Sequence, residues 1–402
     1  MTILNKEANT LKIMSNQRKY KRDISERKNG EILGPPDTTL IVVVSFLVVI
    51  GIMAIFSASS ELCIRHGLNP ATFALRQLVY AVVGFGLMFW IYKKVDYKQL
   101  AYFTTPFCWI VIGLLAIVAF TSMGKNTNEA TRWIQLGPVQ FQPSELAKPL
   151  FALVVAKAFC RDNIILNKYK IINYFIPLVI ILVLIFTQPN LSMVMLLLLT
   201  SLVMYISAGP NWPLLFWGTG GLGVLLCTQI KPYQLSRILT WFDPMKDPQG
   251  AGYNILQSLY AVSAGGFWGM GFGQSRQKFG WLPECHTDFI YAIIAEELGF
   301  FGCVLVIGLF WTLIQRGITI ASRCPDKFGK LLAVGLTFSI GIQAMLNMSV
   351  ATSFAPATGV PLPFVSYGGT SIVVSMCMIG LLLNISRKRI RKIPNQGNYY
   401  SL

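Results

Sequence analysis

The stretch LIVVVSFLVVIGIMAIFSA, residues 40–58, contains no charged side chain. A helix of this length extends for about 28 Å, close to the thickness of the hydrocarbon core of a bilayer. The 39 residues before it are polar and include eight Lys and Arg residues. Because the apolar run starts late and is not followed by an A-x-A cleavage site, we interpret it as a signal anchor that stays in the membrane.

Apolar runs of similar length recur along the chain, which is 54% hydrophobic and only 13% charged, with a mean hydropathy of +0.56. Soluble proteins of this size have shorter apolar runs and more charge. The pattern predicts an all-α polytopic integral membrane protein with about ten transmembrane helices. The expected spans are 40–58, 77–92, 101–121, 143–159, 171–187, 191–208, 212–229, 288–314, 331–352 and 369–386.

The basic residues predict the orientation of these spans. With the N-terminus in the cytoplasm, 24 of the 34 Lys and Arg residues fall in inner segments and 9 in outer segments. Both termini are therefore expected inside, with a large outer loop at 230–287 between helices 7 and 8. The expected organisation is a disordered basic tail (1–39), one transmembrane domain (40–386) and a second basic tail (387–402). The net charge of +17 then reflects topology and anionic lipid, not nucleic-acid binding.

Several kinds of site are excluded. The eight cysteines form no C-x-x-C pair and there are two histidines, which argues against a zinc or redox centre. The Gly-rich segment 265–275 follows no predicted strand, so a nucleotide cradle is not expected. Ser366 has no companion histidine or second acid, which excludes a serine hydrolase. Cys63 and Cys285 both fall outside, where they are either apolar fillers or a disulfide pair.

No segment outside the membrane is long enough to fold as a separate enzyme, so any chemistry must come from outer loops and span ends. In QPSELAK, 142–148, Glu145 and Lys148 share a helix face, and they either form a structural ion pair or line a polar cavity. Arg132, just upstream, either binds a phosphate or flanks the membrane. A substrate for such a site must be membrane-borne or delivered to the membrane surface.

The large outer loop contains further candidates. Its segment 233–254 is typical of an amphipathic surface helix followed by Asp-Pro turns. Arg237 on this helix is a candidate pyrophosphate contact, and Lys278 follows the Gly-rich segment. The side chains expected to enter lipid are Leu235, Ile238, Leu239 and Trp241.

The segment LPECHTDF, 282–289, brings a carboxylate to the outer membrane surface. Asp288 either caps the next helix or acts as general base for a substrate hydroxyl. His286 either titrates or forms a hydrogen bond. Glu296 and Glu297 lie roughly 12 Å deeper along that helix, and at least one must face the protein interior or a cavity.

The last outer loop, SFAPATGVPLPFVSYGGTS at 353–371, has three prolines and three glycines among apolar residues. This composition predicts a compact loop that re-enters the membrane, which is tolerated only when the backbone is buried in protein or faces a cavity. Ser366 and Tyr367 are its candidate hydrogen-bonding side chains.

Three blocks together resemble one family, the SEDS family (shape, elongation, division and sporulation). They are GMGFGQSRQKFGWLPECHTDFIYAIIAEELG at 269–299, RWIQLGPVQFQPSELAK at 132–148 and LPFVSYGGTS at 362–371. The resemblance extends from about residue 40 to 388 in the same order. The family's E-P-D-x-G block here reads QPNLS, 188–192, without its two acids, and NEATRW replaces a form that contains glycine.

The resemblance implies a peptidoglycan glycosyltransferase that polymerises lipid II at the outer face of the bacterial cytoplasmic membrane. Asp288 matches the family's essential acid, and would deprotonate the GlcNAc 4-hydroxyl as it attacks C1 of MurNAc, with inversion and loss of undecaprenyl pyrophosphate. A divalent cation, Mg²⁺ or Mn²⁺, can share the charge neutralisation; no metal-binding side chain and no organic cofactor is expected. The candidate substrate or pyrophosphate ligands are Lys278, Arg237, Arg132, Lys148, Glu145, His286 and Ser366.

The resemblance also implies partners, namely a class B penicillin-binding protein transpeptidase and other membrane proteins of the divisome. The block before LPE is more similar to division-type members (FtsW), whereas GVPLP at 359–363 and GYNI at 252–255 are more similar to elongation-type members (RodA). Two other classes of function stay open. One is a lipid II flippase with a pathway lined by Glu145, Lys148, Glu296 and Glu297, and the other is a non-catalytic divisome scaffold.

Overall fold

A computed structural model describes residues 32–33, 35–120, 124–127, 130–136, 139–160, 168–209, 232–250 and 252–389. Helices dominate these residues, as expected from the long apolar runs. Short 3-10 turns are present at Pro244–Lys246 and Gln277–Phe279. The α-helices are α1 (Thr38–Arg65), α2 (Thr72–Lys94), α3 (Tyr97–Phe120), α4 (Pro143–Cys160), α5 (Lys168–Thr187), α6 (Leu191–Ala208), α7 (Pro232–Phe242), α8 (Tyr253–Gly265), α9 (Ile290–Arg323), α10 (Lys327–Ala351) and α11 (Gly369–Ser386).

Seven of these helices, α1, α2, α3, α6, α9, α10 and α11, are long and apolar enough to cross a membrane. Helices α4 and α5 coincide with two further predicted spans; α4 begins at Pro143, which suits the first turn of a helix. The predicted span at 212–229 lies outside the described residues. A polytopic helical membrane fold is therefore confirmed, while the number of ten spans and their orientation stay predictions.

Helices α10 and α11 form the centre of the bundle. In their most apolar windows 72% and 78% of residues are buried by protein, compared with 28% for α2. Helix α10 packs against α4, α6 and α9, and α11 packs along α2. The apolar side chains of α2 that face outward, such as Val79 and Val82, are thus suited to contact lipid rather than water.

The segments predicted to be cytoplasmic meet at one end of the bundle. Arg316 on α9 pairs with Asp37, the N-cap of α1, at 2.6 Å. The backbone N–H of Tyr97 donates to the Asn384 side chain at 3.4 Å, and the Tyr97 hydroxyl donates to Asp326. The loops predicted to be external meet at the opposite end. The described loops are therefore grouped at the two ends of the bundle, as in the predicted topology.

Short strands depart from the all-α prediction. Strands β2 (Gly124–Thr127), β3 (Ala130–Leu136) and β4 (Val139–Phe141) form an antiparallel sheet between α3 and α4. Thr, Trp and Ile in the sequence ATRWIQL favour extended backbone, which explains the central strand. Inside the segments predicted as tails, β1 (Ile32–Leu33) pairs antiparallel with β5 (Lys388–Arg389); residues 1–31 and 390–402 lie outside the described residues.

The outer loop contains more structure than predicted. The amphipathic helix α7 ends at Phe242, and a second helix, α8, follows that the sequence analysis did not predict. Leu235 and Leu239 are exposed, as expected for side chains that enter lipid. Trp241 is half-buried, and its indole N–H donates to the carbonyl of Ser353 at 2.8 Å, so lipid contact of its ring stays a prediction.

Helix α9 contains a break at Gly299, whose φ of 64° is not helical. The break frees the carbonyls of Glu296 and Glu297, which accept from the backbone N–H groups of Met270 at 2.9 Å and Gly271 at 3.0 Å. The Gly-rich segment 265–275 thus runs along α9 and supplies hydrogen bonds that the helix has lost.

The loop between α10 and α11, residues 352–368, re-enters the membrane region as predicted. A Cβ added to Gly51, in the middle of α1, would lie 2.6 Å from the Cα of Val365. The loop backbone therefore reaches about half-way along a membrane-spanning helix. Backbone at this depth must be hydrogen-bonded internally, and Gln343 and Asn347 on α10 donate to the carbonyls of Pro361 and Val360, both at 2.8 Å.

Cys63 and Cys285 do not form a disulfide. Both are buried free thiols, and the Cys285 Sγ donates to the carbonyl of Ala58 at 3.4 Å. Of the two interpretations left open by the sequence, the structure favours small apolar fillers for this pair.

Candidate active site

Asp288 lies in a tight turn before α9 and does not cap it. Helix α9 begins at Ile290, with Phe289 as N-cap and no side-chain capping bond. The turn is closed by the carbonyl of Glu284, which accepts from the N–H groups of Thr287 at 3.1 Å and Asp288 at 3.2 Å. Among the described residues, none donates a hydrogen bond to the Asp288 carboxylate. The capping interpretation is therefore wrong, and the carboxylate is available for another partner.

Hydrogen bonds to three successive carbonyls fix this turn. The carbonyl of His286 accepts from the N–H of Tyr367 at 3.0 Å, and that of Thr287 from the Ser366 hydroxyl at 2.6 Å. The carbonyl of Asp288 accepts from the side chain of Asn347 at 2.7 Å. Because all three donors belong to the re-entrant loop or to α10, the position of the carboxylate depends on the centre of the bundle.

The charge of Asp288 is controlled by its surroundings. Burial raises the pKa of its carboxyl, and nearby Glu284 raises it further, whereas Arg132 and Arg237 lower it; the resulting pKa is about 6. As a whole residue, Asp288 is half-buried. At neutral pH it is mostly ionised, with a proton affinity well above that of an ordinary aspartate.

Arg237 and Arg132 reach this region from two different elements. Arg237 on α7 donates to the carbonyl of Ala357 in the re-entrant loop at 3.3 Å. Arg132 on β3 donates to the carbonyls of Gln188 at 3.1 Å and Pro189 at 2.5 Å. Both guanidinium groups lie close enough to influence the Asp288 carboxyl. The structure thus brings these two predicted cations and the predicted base together.

Two other predicted residues lie in the same turn region with structural contacts. The His286 ring lies 5.3 Å from the Phe73 ring and 5.9 Å from the Tyr367 ring, centroid to centroid. Burial lowers the pKa of His286, against the opposing effect of Glu284. Ser366 is buried and, besides donating to Thr287, accepts from the N–H of Leu362 at 2.7 Å. Through these contacts, both residues stabilise the turn that carries Asp288.

Lys278 lies in a separate buried cluster beneath the outer loop. Its Nζ donates to the carbonyl of Gly273 at 2.6 Å and lies 3.9 Å from Glu297 Oε1. Glu297 also accepts from the Ser57 hydroxyl, and Glu296 accepts from the Ser275 hydroxyl at 2.5 Å. The two glutamates, predicted to face the interior, do so, and they bind the loop 273–278. The structure does not bring Lys278 to Asp288.

Glu145 and Lys148 form a buried ion pair within the bundle. Each is 1% exposed, their charged groups are 2.5 Å apart, and Lys148 Nζ also donates to the side chain of Gln343 at 2.6 Å. Side chains with so little exposed surface do not meet a substrate delivered from the membrane surface. For this pair the structure favours the structural interpretation over the polar cavity.

Three residues that support this site were not predicted from the sequence. Gln343 and Asn347 lie one turn apart on the same face of α10, and Gly359 lies so close that an added Cβ would be 3.5 Å from Asp288 Oδ2. Two amide side chains spaced by four residues within a predicted membrane span were a usable signal, because polar groups at that depth need partners. Gly359, with φ of 64°, had no such signal.

Backbone strain concentrates around this site. In the described part of the chain, the non-glycine residues with positive φ are Pro189, Glu284, Ser353 and Phe364. Arg132 contacts Pro189, Glu284 closes the Asp288 turn, and the other two lie in the re-entrant loop. Residues in strained backbone conformations are typical of functional sites, where the surrounding structure holds them in place.

The family is decided by a match that covers most of the chain. The family model described as "Cell cycle protein", for FtsW, RodA and SpoVE, matches residues 37–391. The chain belongs to this FtsW/RodA/SpoVE family. The SEDS resemblance seen in the sequence is thereby confirmed, and the family match includes the residues gathered around Asp288.

Relatives from this family align over nearly their whole length. The chain is 36% identical over 358 residues to "Probable peptidoglycan glycosyltransferase FtsW" of Trichlorobacter lovleyi, covering 87% of this chain and 93% of that protein. It is 38% identical over 358 residues to "Stage V sporulation protein E" of Bacillus subtilis, covering 88% and 97%.

Solved structures of family members share the fold. One, from a study titled "Structural coordination of polymerization and crosslinking by a peptidoglycan synthase complex", has a TM-score of 0.72 and 29% identity, covering 88% of this chain and 98% of that chain. The crystal structure of Rod shape determining protein RodA of Thermus thermophilus has a TM-score of 0.64 and 27% identity, covering 89% and 98%.

Proposed function

We propose that this protein is a peptidoglycan glycosyltransferase that polymerises lipid II, with Asp288 as general base. The observation that carries the proposal is the Asp288 carboxylate itself, which caps no helix, lies near two arginines and is fixed through its backbone from the bundle centre. The Trichlorobacter lovleyi relative, named "Probable peptidoglycan glycosyltransferase FtsW", supports the reaction class.

The chemistry follows from the charges around Asp288. The GlcNAc 4-hydroxyl of lipid II attacks C1 of the donor MurNAc, a new C1–O bond forms, and the bond from C1 to the pyrophosphate breaks. The hydroxyl proton passes to the Asp288 carboxylate, and undecaprenyl pyrophosphate leaves with the bonding electron pair. Arg237 and Arg132 stabilise the negative charge that develops on the pyrophosphate. Direct displacement inverts the configuration at C1.

A pKa of about 6 suits Asp288 for this role. An ordinary aspartate is a weak base for a sugar hydroxyl, while a base with a pKa near the working pH combines ionisation with a stronger pull on the proton. The exposed apolar side chains of α7, Leu235 and Leu239, suit contact with the lipid tails of a membrane-borne substrate beside Arg237.

The flippase alternative gains no support from the four charged residues that would line its pathway. Glu145 pairs with Lys148, and Glu296 and Glu297 bind the outer loop through Ser275 and Ser57. Charges that are engaged in this way have structural partners already. A scaffold function is compatible with catalysis and needs no separate site.

The proposed setting is the cytoplasmic membrane during cell division, with the chemistry on its outer face. Relatives named FtsW favour the division type over the elongation type. We further propose a class B penicillin-binding protein as partner, supported by the similarity to a chain from a complex that couples polymerisation and crosslinking. Other divisome membrane proteins are proposed partners on the same family grounds.

A divalent cation, Mg²⁺ or Mn²⁺, stays a proposal tied to the pyrophosphate of the substrate. Across the described ranges, no three His, Cys, Asp or Glu side chains come together as a metal-binding group. Mg²⁺ is commonly held by one or two carboxylates together with substrate phosphates, so the proposed cation is assigned mainly to the pyrophosphate, beside Arg237 and Arg132.

The test is lipid II polymerisation by the purified protein, alone and with its transpeptidase partner. Asp288→Asn keeps the size of the side chain but removes the base, and should abolish glycan formation. Asp243→Asn, on an exposed outer-loop aspartate with no side-chain capping bond, is the matched control and should stay active. Equal glycan from wild type and Asp288→Asn would refute the assignment of the base. No glycan from wild type with its partner present would refute the polymerase.

A further inference from the structure

We propose that Asn347 is a positioning residue that sets the geometry of Asp288 by joining it to the re-entrant loop. The inference rests on the proposed function, because it concerns the base of that reaction. Asn347 does not touch the reacting atoms in this scheme. It acts through the backbone of two segments that the chain brings together from far apart in sequence.

The side chain of Asn347 donates two hydrogen bonds from one nitrogen. Its Nδ2 donates to the carbonyl of Asp288 at 2.7 Å and to the carbonyl of Val360 at 2.8 Å. The side chain is 1% exposed. A single buried amide thus binds both the turn that carries the base and Val360 in the loop. The neighbouring Gly359 lies beside the Asp288 carboxylate, since a Cβ added to it would be 3.5 Å from Oδ2.

The second amide on the same helix face anchors the loop only. Gln343, one turn away on α10, donates from Nε2 to the carbonyl of Pro361 at 2.8 Å. Its Oε1 accepts from Lys148 Nζ at 2.6 Å, which fixes the orientation of the amide. Lys148 is in turn held by Glu145. Two side chains of α10, Gln343 and Asn347, therefore fix the loop. Of these two, only Asn347 also binds Asp288.

Buried amide side chains generally serve to give buried carbonyls a hydrogen-bond partner. That purpose alone does not require one side chain to bind two separate segments. In the described part of the chain, the loop itself binds the turn before α9 only at the carbonyls of His286 and Thr287. The bridge by Asn347 matters because it holds the carbonyl of Asp288 itself. Losing it allows the carboxylate to shift, and misplacement of a reacting group by about 1 Å costs on the order of 100-fold in rate.

The chain contains a matched control at the opposite end of the bundle. Asn384 on α11 also donates from Nδ2 to two backbone carbonyls, those of Tyr92 at 3.0 Å and Val95 at 2.7 Å. It is buried as well, at 7% exposed. Substituting either asparagine by alanine removes the same number of donated hydrogen bonds, and only one of the two sites borders Asp288.

The experiment compares Asn347→Ala, Asn384→Ala and Asp288→Asn with the wild type in lipid II polymerisation, at matched thermal stability. Asn347→Ala is expected to lower kcat by roughly 100-fold while KM for lipid II changes less than about threefold. Asn384→Ala should retain kcat within about threefold. Asn347→Ser, which keeps a shorter donor, should recover part of the loss and serves if the alanine variant does not fold.

Hydrogen–deuterium exchange supplies a readout that does not need activity. Asn347→Ala should speed exchange in the peptide containing residues 284–289 and leave residues 92–98 unchanged, and Asn384→Ala should do the reverse. Faster exchange everywhere in Asn347→Ala would mean a global stabilising role and would overturn the inference. So would equal kcat in Asn347→Ala and Asn384→Ala when the wild type is active and Asp288→Asn is not. An inactive wild type would instead overturn the proposed function, and this inference with it.

Discussion

Arg237, on the surface helix α7, lies close enough to Asp288 for its charge to act on the Asp288 carboxylate. Arg237 donates to the carbonyl of Ala357 in the re-entrant loop, and its charge lowers the pKa of the Asp288 carboxyl. Helix α7, the loop and the turn before α9 thus converge on one carboxylate. In the proposed reaction this cation has two purposes, because it lowers the pKa of the base and stabilises the pyrophosphate as it leaves.

Arg237→Ala should lower kcat/KM for lipid II by at least about 10-fold, because the developing negative charge loses a stabilising cation. The acid limb of the pH–rate profile should also move to higher pH, since removing Arg237 removes an effect that lowers the pKa of Asp288. Arg276→Ala, at an exposed arginine of the same outer loop, is the control. A control that loses as much activity would point to general membrane or substrate attraction.

The polymerisation rate should rise with pH through an apparent pKa near 6 and level off above it. Burial and Glu284 raise the pKa of Asp288 to about 6 despite the two arginines, so the carboxyl is protonated, and inactive as a base, below that pH. Single-turnover rates between pH 4.5 and 8 would show this limb. An acid limb near pH 4 would indicate a base in an ordinary aqueous environment.

The same raised pKa predicts a stability effect. Because the folded state favours the protonated carboxyl, Asp288 contributes most to stability below pH 4, and this contribution is lost as pH rises through about 6. Asp288→Asn should therefore unfold at a higher temperature than wild type at pH 8, with the difference vanishing near pH 4. Thermal unfolding in detergent at both pH values checks the sign, and a variant less stable at pH 8 would contradict it.

Lys278→Met should destabilise the fold by about 3 kcal/mol, because it leaves Glu297 buried without its cation. The double variant Lys278→Met with Glu297→Gln should recover part of that loss, since neither charge is then left unpaired. Denaturation midpoints of the two single variants and the double variant measure the coupling. Additive losses would show that the two groups do not interact across their 3.9 Å separation.

Gly299→Ala should destabilise the protein by more than about 2 kcal/mol. Gly299 has φ of 64°, and an added Cβ would lie 2.3 Å from the N atom of Gly269. Gly308→Ala in the same helix is the control, because its added Cβ has nothing within 4 Å, and alanine favours helix there. Thermal unfolding of the pair compares them, and equal midpoints would show that the break in α9 is not required.

The sequence predicted the helices of the membrane domain well, because a run of some 20 apolar residues has few structures open to it in a bilayer. The re-entrant loop was predicted from its prolines and glycines, and Asp288 from its place at the membrane surface and from the family resemblance. The sequence could not predict the sheet β2–β4 or helix α8, since short outer segments lack the periodicity that reports burial.

Assigning partners to charged residues was less successful. Lys278 and Lys148 were candidate pyrophosphate ligands because a leaving pyrophosphate needs nearby cations, but each pairs with a buried glutamate. A cation is attracted to a carboxylate as readily as to a phosphate, and only the fold shows which is closer. The role of Asn347 depends on a bridge between two distant segments, which a single sequence does not reveal.

The contact between Arg132 and the 188–189 segment has a consequence for divergence within the family. Arg132 binds the main-chain oxygens of Gln188 and Pro189, and every amino acid supplies such an oxygen. The arginine therefore keeps its place whatever side chains occupy positions 188 and 190. The uncharged Gln188 and Asn190, which stand where the family resemblance predicts two acids, therefore leave both main-chain acceptors of Arg132 in place.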